Sequence, residues 1–131
     1  MKKVRGYIFS RPFMGERVPQ HVQNIVIRDF CQKNSLNYLL SASEYKMKNS
    51  FLILNDLVTN IKDLYGIVAY SLFQLPSNSK ERNKILRKII KKNKVIFFAV
   101  EQMKVSNINE LNNLNSIWEI KKLLPSCPQK I

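Results

Sequence analysis

Hydroxyl, guanidinium and carboxylate side chains recur in this chain where apolar runs end. Ser10 and Arg11 close the first run, and Gly15, Glu16 and Arg17 follow in a polar loop. Ser41, Ser43, Glu44 and Tyr45 close the second, Ser71 and Gln74 the third, and Glu101 the fourth. A serine hydroxyl becomes a nucleophile once a base takes its proton. Carboxylates serve as acid–base groups, and a guanidinium matches the geometry of a phosphate. The catalytic candidates are therefore Ser10, Glu101 and Glu44. The substrate-binding candidates are Arg11, Gly15, Glu16, Arg17, Ser41, Ser43, Tyr45, Ser71 and Gln74. Such a set suits a phosphate or a polyhydroxylated sugar.

Each group also has a plainer reading. Ser10 can cap a strand end, and Arg11 and Arg17 can pair with Glu16 or lie in solvent. Glu44 can be a surface charge, and Ser71 and Gln74 can shape a turn. Glu101 ends a buried apolar run, a harder place for an idle carboxylate. His21 falls in a first helical turn, where the helix dipole disfavours its protonated form, so it reads as a surface or packing group. Trp118 falls at helical spacing and reads as core.

The elements that must position these groups alternate. Val4 to Ser10 reads as a strand with apolar groups on both faces, and Pro12 requires it to have ended. Pro19 opens a helix in which Val22, Ile25, Val26 and Phe30 repeat at helical spacing. Leu36 to Ala42 is a second strand. Ser50 is a candidate cap for a helix carrying Phe51, Leu54, Leu57, Val58 and Ile61. Ile67 to Phe73 is the most continuously apolar run, hence the expected central strand. A helix over 80–92 buries Ile85, Leu86, Ile89 and Ile90, and turns Lys80, Arg82, Lys84, Arg87, Lys88, Lys91 and Lys92 outward. Lys94 to Val100 is a fourth strand. Asn107 and Glu110 have capping-box spacing for a last helix carrying Ile108, Leu111, Leu114, Trp118 and Leu124, stopped by Pro125.

This alternation predicts an α/β fold, a three-layer αβα sandwich around a mostly parallel sheet of four or five strands. One domain over residues 1–125 and a loose tail over 126–131 are expected. Parallel strands send the loops after them to one edge, the edge where open sheets bind ligands. Helix N-termini on that edge favour an anion.

The net charge is +13, from 22 Lys and Arg against 9 Asp and Glu. A polyanion partner is one reading; the Asn-, Ile- and Lys-rich composition of an AT-rich genome is the other. The basic face of helix 80–92 divides the same way, between a solvated face and a partner surface. No apolar run approaches the roughly 20 residues of a membrane span, and the run after the basic N-terminus is too short for a signal peptide. Cys31 and Cys127 lack metal-ligand spacing, so a reduced cytoplasmic protein is expected. Neither a P-loop nor a Gly-x-Gly-x-x-Gly is present, and with one His a zinc site is not expected. No cofactor is implied.

Two family resemblances add to these readings. The order of elements over about residues 4–105 resembles the catalytic domain of serine recombinases of the resolvase type, whose first strand ends in a pattern like Tyr-x-Arg-Val-Ser. Tyr7-Ile-Phe-Ser10 is similar in placing a Ser there, but Ile8 stands where the family has Arg. Phe73-Gln-Leu-Pro-Ser77 matches a stretch like Asp-Arg-Leu-x-Arg and lacks both arginines. Phosphodiester attack needs cations to neutralise developing charge, so this resemblance implies the fold without the recombinase reaction. The second is carried by Arg5-Gly-Tyr-Ile-Phe-Ser-Arg-Pro-Phe-Met-Gly-Glu-Arg-Val-Pro-Gln-His-Val-Gln-Asn24, Leu40-Ser-Ala-Ser-Glu-Tyr45, Gly66-Ile-Val-Ala-Tyr-Ser-Leu-Phe-Gln-Leu-Pro76 and Phe98-Ala-Val-Glu101. These blocks resemble the sporadic carbohydrate cluster proteins of bacterial surface-polysaccharide (lipopolysaccharide O-antigen) loci. That resemblance implies a pathway and names no reaction. The leading expectation is an accessory protein or enzyme of that pathway, holding a phosphorylated or nucleotide-linked sugar. The alternatives are a recombinase-like DNA-binding protein lacking the catalytic arginines, and a non-catalytic scaffold for glycan biosynthesis enzymes.

Overall fold

The computed structural model describes residues 2–13, 15, 17–47 and 49–123. Glu16 and the segment 124–131, with the expected stop at Pro125, the tail and Cys127, lie outside the described residues. The elements in chain order are β1 (Lys3–Ile8), α1 (Gln20–Lys33), β2 (Asn37–Ser43), α2 (Leu52–Thr59), β3 (Gly66–Ala69), α3 (Ser79–Lys91), β4 (Val95–Phe98), β5 (Met103–Val105) and α4 (Ile108–Leu123). Single 3₁₀ turns occupy Ile61–Asp63 and Leu72–Gln74.

Five strands form one sheet in the order β2-β1-β3-β4-β5. The pairs β1–β2, β1–β3 and β3–β4 are parallel, and β4–β5 is antiparallel. The expected α/β class and mostly parallel sheet are therefore present. Two apolar layers flank the sheet. Tyr7, Ile67, Ala69, Ile96 and Phe98 face a layer with Leu54, Val58, Leu86, Ile89, Leu111 and Trp118 from α2, α3 and α4. Val4, Ile8, Val68, Val95 and Phe97 face Ile27 and Cys31 of α1. Burial pushes the Cys31 thiol up to about 11, so it is a poor nucleophile at neutral pH.

Several boundaries differ from the sequence expectation. The third strand ends at Ala69 instead of Phe73, because Ser71 accepts a bond from Phe73 N and turns the chain into a 3₁₀ turn. The first and fourth strands stop at Ile8 and Phe98. Helix α1 is also turned from its expected face. Gln23, Ile27 and Cys31 are buried, while Ile25 is 58% exposed. The reason is Gln23, whose amide carries buried hydrogen bonds that apolar periodicity does not register. Arg82 is likewise not on the outer face of α3 but fully buried. It donates to Asn115 Oδ1 (2.9 Å), Pro76 O (3.1 Å) and Ser77 O (3.1 Å), and its guanidinium lies 4.7 Å from the Trp118 ring centroid. Helix α4, packed on α3, supplies that cover.

Strand β2 carries a bulge. Arg5 faces Leu39, but Tyr7 faces Ala42, so β2 holds one extra residue. The slip puts Ser41 on the same face as Tyr38 and leaves Leu40 77% exposed. Ser41 Oγ then sits directly against Gly6, where a Cβ would collide with it.

Candidate functional site at the strand carboxyl edge

Strand order reverses between β1 and β3, since β1 is followed in space by β2 on one side and β3 on the other. The loops after these two strands bound the crevice where open sheets bind ligands. Two amides close its deepest part. Gln23 Oε1 accepts from Phe9 N (3.0 Å) and from Gln74 Nε2 (2.9 Å). Gln23 Nε2 donates to Phe9 O (2.9 Å) and Val18 O (2.8 Å). Both side chains are buried. Gln74, a ligand-binding amide by the sequence reading, donates to Gln23 and accepts from Ser71 N (3.4 Å). Gln23 itself was not singled out, because a single glutamine in a helix carries no spacing signal.

Glu44 is 2% exposed. Its Oε1 accepts from Tyr7 OH (2.8 Å) and Leu54 N (3.1 Å). Its Oε2 accepts from Tyr45 N (3.1 Å), Ser50 Oγ (3.1 Å) and Ile53 N (3.2 Å). The carboxylate thus satisfies the N-terminal amides of α2, the role the sequence assigned to Ser50. Ser50 instead donates to Glu44. The burial of Tyr7, then the negative charge of Glu44 and their hydrogen bond, hold the Tyr7 hydroxyl far above its ordinary range. At neutral pH it is a proton donor to Glu44. This is the geometry of a structural carboxylate, with both oxygens engaged by five donors.

Glu101 stands in the turn between β4 and β5. It accepts from Ser71 Oγ (2.7 Å) and Leu72 N (2.9 Å), and so pins the 3₁₀ turn after β3. Ser10 is half-buried, and its Oγ donates to Glu44 O at 3.3 Å. Among the described residues no carboxylate or imidazole bonds to that hydroxyl. Ser41 Oγ donates to Asn24 Oδ1 (2.6 Å) and shares a bond with Tyr38 OH (2.7 Å). Ser43 Oγ accepts from Gln20 Nε2 (3.1 Å). Tyr45, Gly15 and Arg17 are exposed, and Gly15 has φ +77°, the left-handed region that favours glycine.

Arg11 behaves as a clasp. Nη1 donates to Tyr45 O (2.8 Å) and Met47 O (3.2 Å), and Nη2 donates to Ser50 O (2.9 Å). Its guanidinium lies over Phe9 (4.1 Å) and Phe51 (5.1 Å). All three acceptors are neutral carbonyls. Among the described residues no carboxylate forms an ion pair with Arg11.

The sequence candidates therefore gather into hydrogen-bonded groups: Ser10 with Glu44, Ser41 with Asn24, and Glu101, Ser71, Gln74 and Gln23 in one chain, joined where Ser71 N donates to Gln74 Oε1 (3.4 Å). Beside them lies open space. A cavity of about 480 Å³ is lined by Phe9, Arg11, Phe13, Phe51, Phe73 and Trp118, with Lys46 at its wall. Phe73 meets Trp118 edge-on at 5.0 Å, and Phe13 meets Phe9 at 5.7 Å. By sequence, Phe9 and Phe73 belong to strand runs, Phe51 to the second helix and Trp118 to the core. Their signal is faint but present: Phe9 directly follows β1 and Phe73 lies in the turn after β3, at the switch point. No group of His, Cys, Asp or Glu among the described residues is arranged to hold a metal.

No protein-family model matches the chain, and no curated protein matches it. Solved structures do. A resolvase-family site-specific recombinase from Streptococcus pneumoniae superposes with a TM-score of 0.62 at 13% identity, covering 97% of both chains. The N-terminal catalytic domain of TP901-1 integrase superposes with a TM-score of 0.62 at 13% identity, covering 92% of this chain and 98% of that one. The fold is thus that of a resolvase-type catalytic domain, as the order of elements had implied.

Proposed function

We propose that this protein acts in bacterial surface-polysaccharide biosynthesis, in the cytoplasm and as one folded unit, by binding a phosphorylated or nucleotide-linked sugar at the strand carboxyl edge. The observation that carries this reading is a coincidence of position. The four blocks that resemble the sporadic carbohydrate cluster proteins are the strand ends that bound the aromatic cavity and its hydrogen-bonded rim. An aromatic wall suits the C–H faces of a sugar ring, and the volume lies in the range of small-molecule sites. Lys46, with the guanidinium of Arg11 in the same wall, sets positive potential there, which suits an anionic ligand. Binding in the cavity, with the rim as scaffold, is the role the geometry favours for these residues. A panel of nucleotide-linked hexoses and hexose phosphates, tested by calorimetry, checks the reading. Micromolar binding by at least one is expected; a panel-wide absence of heat overturns it.

The fold neighbours favour a second reading, a DNA-binding protein without the recombinase reaction. Its missing arginines are not replaced by Arg11, whose guanidinium is held on three carbonyls. Duplex binding that weakens steeply between 50 and 200 mM salt is the expected sign of this reading. A flat salt response removes it.

A further inference from the structure

A second cavity, of about 520 Å³, adjoins the aromatic one. Asn49 and Phe51 line both, and the walls continue from Leu75 and Ser77 in one to Pro76 in the other. The two spaces are therefore chambers of one groove between the 46–52 segment and the 73–77 turn. Their chemistry differs. The first is walled by five aromatic rings: Phe9, Phe13, Phe51, Phe73 and Trp118. The second adds Asn55, Glu81, Lys84 and Lys88 to an apolar floor of Met47, Leu52, Pro76 and Ile85. Lys84 and Lys88 stand one helical turn apart on α3, so their ammonium groups serve one side of the chamber. Neither makes a hydrogen bond or ion pair among the described residues.

The geometry points to a two-part ligand, a nucleoside diphosphate sugar lying across Phe51. A flat or ring-shaped part stacks in the aromatic chamber, and the diphosphate meets Lys84 and Lys88 in the polar one. The assignment of ends follows from where free donors stand. Arg11, at the aromatic end, has its fork occupied by carbonyls, and Lys121 Nζ lies over the Phe73 ring (5.9 Å to the centroid), leaving Lys46 as the unengaged cation in the wall there. Lys84 and Lys88 offer two unengaged ammonium groups, which suits the two charges of a diphosphate. Glu81 and the two asparagines supply acceptors and donors for hydroxyls beside it. This division rests on the reading that the protein binds a phosphorylated or nucleotide-linked sugar.

The chain has a single tryptophan, Trp118, and it lines the aromatic chamber, so its fluorescence reports occupancy directly. The test titrates the full chain with hexoses linked to uridine, guanosine or adenosine diphosphate, and with the parent nucleosides. At least one nucleotide sugar is expected to quench Trp118 saturably, and its nucleoside to bind more weakly at the same place. Lys84→Gln/Lys88→Gln is expected to raise the Kd of the nucleotide sugar at least tenfold and leave that of the nucleoside unchanged. Both lysines are exposed, so the variant folds. Phe73→Leu is expected to weaken both ligands alike. If the lysine variant binds the nucleotide sugar as the parent does, or loses both ligands equally, the two-part groove is wrong while sugar binding stands. If no nucleotide sugar binds, this inference falls, and hexose phosphates then decide the broader reading.

Discussion

The strand carboxyl edge contains two regions of opposite design. One is a rim of polar side chains that bond to one another: Glu44 with Tyr7 and Ser50, Gln23 with Gln74, Glu101 with Ser71. The other is a groove walled by aromatic rings and unengaged lysines. The rim holds nearly every residue type that suggests chemistry, yet its donors and acceptors are consumed within the fold. The groove holds types that suggest packing, yet it has the open surface. The lesson is that a polar group near a crevice is evidence of a ligand only while its hydrogen bonds are unspent. Buried polar groups are nearly always satisfied internally.

The comparison can be broken at its strongest point first. Glu44→Ala removes the acceptor of five donors, several of them buried, and is expected to cost about 3 kcal/mol or more. Urea unfolding measures this; a loss under about 1 kcal/mol would mean the rim is not structural. Gln23→Leu strands Phe9 N, Phe9 O and Val18 O together, and a loss of about 3 kcal/mol is expected in the same assay.

Tyr7→Phe deletes one charge-assisted bond to Glu44 and is expected to cost about 2 kcal/mol at neutral pH. It also has a pH signature. The folded Tyr7 hydroxyl titrates above its unfolded value, so the fold retains a proton that the unfolded chain releases as pH rises through about 10. Its contribution is complete below that pH and declines above it. Stability of the parent protein should therefore fall more steeply between pH 10 and 11 than that of Tyr7→Phe. Cys31, also raised, contributes equally to both proteins and cancels in the comparison.

The smallest stability effect is expected in the groove. Phe73 is partly buried and packs on Trp118, so Phe73→Leu should cost about 1 kcal/mol while weakening sugar binding about tenfold. Equal binding by this variant would move the site out of the aromatic chamber. Arg11→Lys sharpens the boundary, since Arg11 belongs to both regions. Losing the guanidinium fork should loosen the 45–50 segment and cost about 1 kcal/mol, with a matching rise in amide exchange there.

Much of the architecture was legible in the chain. Continuous apolar runs separated by helical periodicity led to the α/β class, and the switch-point rule led to the edge where the cavities open. Two departures from the sequence expectation share one cause. Gln23 turned α1 away from its apolar stripe, leaving Ile25 outside. Arg82 read as solvated, but α4 covers it. The three-residue β5 was too short to carry a period. For Gln23 and Arg82 the deciding contact comes from a distant part of the chain, as when Asn115 meets Arg82 or Gln74 meets Gln23.

What the sequence determined alone was the local grammar: which runs form strands and helices, and hence which loops share an edge. Backbone periodicity and turn chemistry act over a few residues, so they can be read in order. Only the tertiary structure decided which polar groups at that edge were already spoken for. Hydrogen-bond partners such as Tyr7 and Glu44, or Ser71 and Glu101, are 37 and 30 residues apart. Their pairing is set by sheet order and by how far each strand runs, and that is why the open chemistry of this protein lies beside its polar residues.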